Sequence, residues 1–359
     1  MVARWAHVAL SIVVVLGGMT ITALLPAVQA GGKALPTLAE AVGIDVPRPL
    51  APDVERSETE LDGVGGHLYE PEGGGPGILV VPGAAPEGKD DPRLVRLARA
   101  IARAGRAVFV PDLALAERRF EEEDLDRIAR AGAALGERTG GDVAMLGISY
   151  GGSLGLVAAA DPRLAGRLAV VAVFGAYFDL GGVIQAVTTG ESLVGGRRIP
   201  WVGHPLARAV LQEQAVAFAP ASTRAELRGA FAGSVPAEDL SPPARAVFDL
   251  VTNEDPSRTG ELVLALPEES RSVLERFSPS TVAGSIRAPV VAMHSTDDPA
   301  VPHAELLRLD RALPGARTVT VEAFRHVDLR AAGPGAWVGV GRDVLRAWTF
   351  TRWVLEAQE

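Results

Sequence analysis

Ser149 stands in the run Gly147-Ile148-Ser149-Tyr150-Gly151, with a glycine two residues away on either side. A serine hydroxyl is a candidate nucleophile, able to attack a carbonyl carbon once a neighbouring base takes its proton. The flanks give the motif its meaning. The apolar residues Val143-Ala144-Met145-Leu146 come directly before it, and the small-residue run from Gly152 to Ala160 comes directly after. A strand, a sharp turn and a helix in that order form a nucleophile elbow, which lifts the serine above the end of a sheet. The turn is too tight for side chains at its flanks, which is why glycine is required there. A glycine-rich turn with an idle serine would read the same way, so the motif needs partners elsewhere. Those partners are not thiols. The chain has no cysteine, which removes a thiolate nucleophile, a disulfide and a cysteine metal site together.

The elements that must position Ser149 follow from the apolar pattern. Among 359 residues, 48% are hydrophobic and 22% charged, enough for a sizeable core in one large α/β domain with an insertion. The formal net charge of -9 argues against a nucleic-acid backbone as the main partner. Uninterrupted apolar runs at 78–81, 107–111, 143–146, 168–174 and 289–293 suit strands covered on both faces. An edge strand is expected at 63–70 and a last strand at 318–322. Helical spacing appears over 94–101, 125–135, 303–313 and 338–355. Alternation of this kind predicts right-handed crossovers and a mainly parallel sheet. The beat fails between about 180 and 285, where helix-like segments at 205–217, 224–230 and 269–277 suggest a mostly helical cap, with a short strand near 247–250.

The N-terminus carries a run without charge over residues 8–28, after the weakly basic start Met1-Val2-Ala3-Arg4. One reading is a signal peptide cleaved near Ala30. The other is an uncleaved anchor, since about 20 apolar residues span a bilayer core, and Arg4 would then leave the body outside. Either way the body is expected to be exported, with a membrane as partner if the segment stays. Residues 31–60 read as a lead-in and 61–355 as the main domain.

Two later segments complete the pattern. The resumed strand ends in His294-Ser295-Thr296-Asp297-Asp298-Pro299-Ala300-Val301-Pro302, and the next strand leads to Phe324-Arg325-His326. With these, the chain resembles the α/β-hydrolase superfamily, in particular its serine esterase and dienelactone-hydrolase-like members, over about residues 63–355 outside the cap. The resemblance implies an α/β fold: a mainly parallel sheet flanked by helices, with a cap inserted over about 180–285. It also implies triad partners in the order serine, acid, histidine, each after a strand. Asp298 falls on the catalytic acid of the family's H-G-x-x-D-x-x-V-P segment, with Ser295 replacing the glycine, and His326 falls on the base. Asp297 is the rival acid, and the spacing to Val301 and Pro302 favours Asp298. Val81-Pro82-Gly83-Ala84-Ala85 resembles the oxyanion loop, with Pro82 where many members have histidine. The donors would be the backbone N–H groups of Ala84 and Tyr150. Tyr177 and Phe178 would wall the pocket or else belong to the core.

The implied activity is hydrolysis of a small or medium hydrophobic ester through an acyl-enzyme, with no cofactor and no metal. A lipase, a thioesterase or a lactonase would use the same triad. A catalytically silent exported binding protein of the same fold is the alternative from a different class. Among the other histidines, His294 reads as structural, His303 as capping a helix or lining the cleft, and His67 and His204 as lacking chemical company.

Overall fold

The computed structural model describes residues 26–44, 52–117, 119–322, 324–329 and 337–358. Its strands are β1 (Val54–Leu61), β2 (Val64–Pro71), β3 (Gly77–Val81), β4 (Ala107–Pro111), β5 (Val143–Ile148), β6 (Leu168–Phe174), β7 (Glu191–Val194), β8 (Arg197–Pro200), β9 (Val290–Ser295), β10 (Arg317–Val321), β11 (Phe324–Arg325) and β12 (Asp328–Leu329). Eight of them form one sheet in the order β1-β2-β4-β3-β5-β6-β9-β10. From β4 to β10 the pairings are parallel, while β2 runs antiparallel to both β1 and β4. The pairs β7–β8 and β11–β12 are separate hairpins.

The apolar runs are buried because layers cover both faces of the sheet. Leu79, Val81, Met145, Val171 and Val173 point into one core, and Ile78, Val80, Ala144, Val170 and Ala172 into the other. Helix α1 (Pro26–Ala41) and α2 (Pro92–Arg103) cover the second face, and α3 (Glu122–Thr139) and α4 (Tyr150–Ala158) the first. After β6 the chain forms the cap: α5 (Leu180–Thr189), α6 (Ala207–Phe218), α7 (Arg224–Phe231), α8 (Pro242–Val251), α9 (Thr259–Leu264), α10 (Glu268–Arg276) and the short α11 (Pro279–Val282). The cap has a core of its own, in which Ile184, Val216, Leu227, Val247, Leu250 and Leu262 pack together. Helix α12 (Ala304–Ala312) follows β9 on the first face, and α13 (Trp337–Glu356) closes the second.

The structure corrects several expectations. The strand expected at the sheet edge is β2, an inner strand, because β1 lies outside it. The sheet therefore starts at Val54, inside the segment read as a lead-in, which also holds the larger part of α1. Helix α8 replaces the short strand expected near 247–250; Ala244, Val247, Leu250 and Val251 are buried at helical spacing behind prolines in the first turn. Most of the uncharged run at 8–28 lies outside the described residues, and the expected cleavage point near Ala30 falls within α1. Among the described residues, no helix is long and apolar enough to cross a membrane.

Candidate active site

Chain order places the site at one end of the sheet. From β3 the chain crosses by α2 to β4 on one side, then by α3 to β5 on the other. The ends of β3 and β5 therefore diverge around a crevice, where ligands bind in open parallel sheets. The loop after β3 holds Pro82 to Ala85, and Ser149 follows β5.

Ser149 has φ 53° and ψ -132°, a backbone conformation that L-residues rarely adopt and that persists only when the surroundings impose it. Here the packing around the two glycines does so. A Cβ on Gly147 would stand 2.3 Å from Cα of Gly152, and one on Gly151 2.0 Å from the carbonyl oxygen of Pro82. Both obstacles are backbone and cannot swing aside. The Ser149 N–H donates to the Phe174 carbonyl at 2.7 Å, tying the elbow to β6. Gly151→Ala is accordingly expected to cost about 3 kcal/mol or more of stability, read as a lowered urea midpoint. An unchanged midpoint would show that the elbow has slack.

His326 sits at the tip of the β11–β12 hairpin, in the first position of a two-residue turn with φ 60°. Glycine is usual there, so a second strained residue faces the first. A Cβ on Gly175 would stand 3.2 Å from the His326 ring, so the glycine after β6 leaves the space the imidazole fills. His326 Nδ1–H donates to Asp298 Oδ2 at 2.6 Å, and the Ser149 hydroxyl donates to His326 Nε2 at 2.7 Å. The carboxylate fixes this tautomer, because the ring nitrogen facing it must carry the proton.

Asp298 is buried and Asp297 is exposed, which separates the two acids. The Asp298 carboxylate is saturated with donors. Oδ1 accepts from the N–H groups of Ala300 and Val301 at 2.8 and 2.9 Å. Near Oδ2 lies a second imidazole, with His294 Nε2 at 3.3 Å from it and 3.1 Å from the Val301 carbonyl. Burial alone would raise the Asp298 pKa, but the hydrogen bonds and charges of His294 and His326 outweigh it and hold the carboxyl well below the usual range. His303 packs edge-on against His294 with ring centroids 5.9 Å apart. Its burial, and then His294, lower its pKa to about 4.

The β3 loop runs beside the elbow, since a Cβ on Gly83 would stand 3.2 Å from that of Ser149. Tyr150 is the first residue of α4, so its N–H has no acceptor within the helix. Ala84, Ser149, Tyr150 and His326 line one cavity of about 520 Å³. A second cavity, of about 250 Å³, lies under the cap among Phe120, Val183, Val187, Leu211, Phe218 and Leu250. Tyr150 and Ala300 line both. Neither Tyr177 nor Phe178 lines either cavity, which corrects the pocket reading. Tyr177 is wholly buried, donates its hydroxyl to the Phe277 carbonyl at 2.9 Å and packs against Tyr150, so it supports the elbow from within. Among the described residues, no cluster of three His, Asp or Glu side chains is placed to share a metal ion.

Glu305 was not foreseen. It is fully buried, accepts from the N–H groups of Phe178 and Asp179 at 3.1 and 2.8 Å, and pairs with Arg308. It thereby fastens the stem of the cap to α12. Burial pushes its carboxyl up to about 7, with the Asp179 charge adding to the rise, while Arg308 and the two N–H donors oppose it. An unfolded Glu titrates near about 4.3, so the folded chain binds the extra proton between the two values. Stability from this group is therefore present at low pH and is lost as pH rises through about 7. Melting temperatures should show wild type losing more than Glu305→Gln between about pH 5 and about pH 8. Parallel pH curves would refute it.

No family model matches the chain, and no curated protein matches it. Solved structures do. A 2,6-dihydroxy-pseudo-oxynicotine hydrolase is 15% identical over 96% of this chain and 83% of its own, with a TM-score of 0.49. An esterase of Pyrococcus furiosus is 11% identical over 87% and 96%, with a TM-score of 0.45. The acylaminoacyl peptidase of Pyrococcus horikoshii is 15% identical over 85% of this chain with a TM-score of 0.43, and the chain spans 40% of that protein's length. By its own strand order, its antiparallel second strand, its helices on both faces and its elbow after β5, the chain has the α/β-hydrolase fold.

Proposed function

We propose that the chain is a serine hydrolase that cleaves a carboxylic ester through an acyl-enzyme on Ser149. The observation that carries the reading is the unbroken line Ser149–His326–Asp298, with hydrogen bonds of 2.7 and 2.6 Å. As Ser149 Oγ bonds to the ester carbonyl carbon, its proton passes to His326 Nε2. Asp298 stabilises the imidazolium and is not itself protonated. The carbonyl oxygen gains the negative charge and faces the N–H groups of Tyr150 and Ala84. Collapse breaks the bond to the alcohol oxygen, which leaves with the proton from His326. Water then attacks the acyl-enzyme, again with His326 as base, releasing the acid and restoring Ser149.

The two cavities support a two-armed apolar substrate. One arm lies in the larger cavity beside Ser149. The other passes Tyr150 and Ala300 into the apolar space under the cap. The test is turnover of a p-nitrophenyl ester panel of graded acyl length by wild type and Ser149→Ala. Turnover of at least one short or medium ester by wild type, lost in the variant, is expected. A folded wild type that hydrolyses none of them would overturn the reading.

The proposal extends to location. The uncharged run at 8–28 supports an exported enzyme, tethered to the membrane or cleaved near Ala30. Fractionation of cells expressing the full chain should recover it with the membrane or outside the cytoplasm, and cytoplasmic recovery would count against export.

A further inference from the structure

The turn that carries Asp298 is held from two sides. On the sheet side, the Thr296 N–H donates to the Val321 carbonyl at 3.0 Å. On the other side the holders come from the cap, over the four residues Trp201-Val202-Gly203-His204 that follow β8. Trp201 Nε1–H donates to the main-chain carbonyl of Asp298 at 2.7 Å, and the His204 N–H donates to the carbonyl of Pro299 at 2.8 Å. The strap is itself anchored, since the Trp201 N–H donates to the Gly190 carbonyl at 2.8 Å.

Gly203 shows how closely the ring is seated. A Cβ there would stand 2.4 Å from the far edge of the Trp201 indole, and a rigid ring bonded at its nitrogen cannot swing away cheaply. Val202, between them, is 87% exposed. The backbone therefore spends an apolar side chain on solvent while keeping Trp201 turned inward onto the acid turn.

We infer that Trp201 is a positioning residue, a group of the cap that sets the acid turn at the height from which Asp298 orients His326. The inference rests on the hydrolase reading above. Because Asp298 Oδ1 is bonded to the N–H groups of Ala300 and Val301, carboxylate and turn move as one body. A shift of the turn is thus a shift of Oδ2, and the 2.6 Å bond to His326 is the first to lengthen. Cap seating and triad alignment are coupled through this strap, and the indole N–H is its contact with Asp298 itself.

The test uses three variants of the full chain. Trp201→Phe keeps an aromatic ring and removes the donor. Trp201→His keeps a ring N–H. Gly203→Ala displaces the indole without touching its nitrogen. The readouts are the rate of labelling by a small fluorophosphonate, which reports the nucleophilicity of Ser149 without filling the cap cavity, together with kcat, KM and the melting temperature. Trp201→Phe and Gly203→Ala are each expected to label at about one tenth of the wild-type rate, the worth of one well-placed hydrogen bond. Their kcat should fall by the same factor, KM should stay within about twofold, and Trp201→His should label faster than Trp201→Phe. Folded variants that label at the wild-type rate would overturn the inference, whatever happens to KM, and leave Trp201 as cap structure alone. If Trp201→Phe does not fold, Gly203→Ala decides by the same criterion. A wild type that neither labels nor turns over ester defeats the hydrolase reading instead, and this inference with it.

Discussion

Asp298→Asn is expected to lower kcat by about four orders of magnitude, with the fold and Ser149 left in place. The direction of the new amide is not free. At Oδ1 two backbone donors, Ala300 and Val301, require an acceptor, so the amide oxygen takes that position. The NH₂ group is then forced into the place of Oδ2, facing His326 Nδ1 and His294 Nε2. A donor there stabilises the tautomer with its proton on Nε2, which cannot accept the proton of Ser149. The charge that stabilises the imidazolium is lost as well. Steady-state kinetics on an ester that wild type hydrolyses, with circular dichroism to show a native fold, checks it. A loss of less than about tenfold would mean that Asp298 does not orient the base.

His326→Ala removes the base and should be at least as severe, about 10⁵- to 10⁶-fold in kcat. The Ser149 hydroxyl would keep its proton at neutral pH, and the leaving alcohol would have to depart without one. What would remain is the contribution of the N–H donors proposed at Tyr150 and Ala84 and of substrate binding, which together keep such sites about 10³-fold above water. Stability should also fall, by about 1–3 kcal/mol, because alanine keeps the Cβ that is strained at φ 60° and leaves the buried Asp298 Oδ2 without its shortest hydrogen bond. The same kinetic assay reads the result. Turnover within about a hundredfold of wild type would point to another base. The candidate would then be His294, whose ring already lies against Asp298.

The elbow could be read from sequence because its constraint is local. Gly147, Gly151 and Gly152 are needed for contacts within a few residues of each other or with the adjoining strand loop, and such steric needs leave a trace in residue type. The inner strands were equally plain, since burial on both faces demands unbroken apolar runs. β1 was missed for the opposite reason. Its sequence Val-Glu-Arg-Ser-Glu-Thr-Glu-Leu lies at the sheet edge with Glu55, Glu58 and Glu60 exposed, so it has no apolar run. Its one sequence signal is the Asp62-Gly63 turn that joins it to β2, with both residues at positive φ. The hairpin β7–β8 has strands of four residues, too short for any period to show. Tyr177 and Phe178 failed as pocket residues because an aromatic after a strand looks the same whether it faces a cavity or the core. Trp201 and Glu305 make their contacts across about a hundred residues of chain, and His294 meets Asp298 within one turn only because the loop after β9 folds back on itself, so no period in the sequence places any of the three.

The central claim is that Ser149 is a nucleophile activated by His326, and one measurement meets it directly. The full chain, solubilised in mild detergent, is treated with a fluorophosphonate at neutral pH and read by intact and peptide mass. The expected result is one adduct per chain, on the peptide containing Ser149, absent from Ser149→Ala and nearly absent from His326→Ala. A folded wild-type chain that takes up no adduct, or takes it up on another residue, would contradict it.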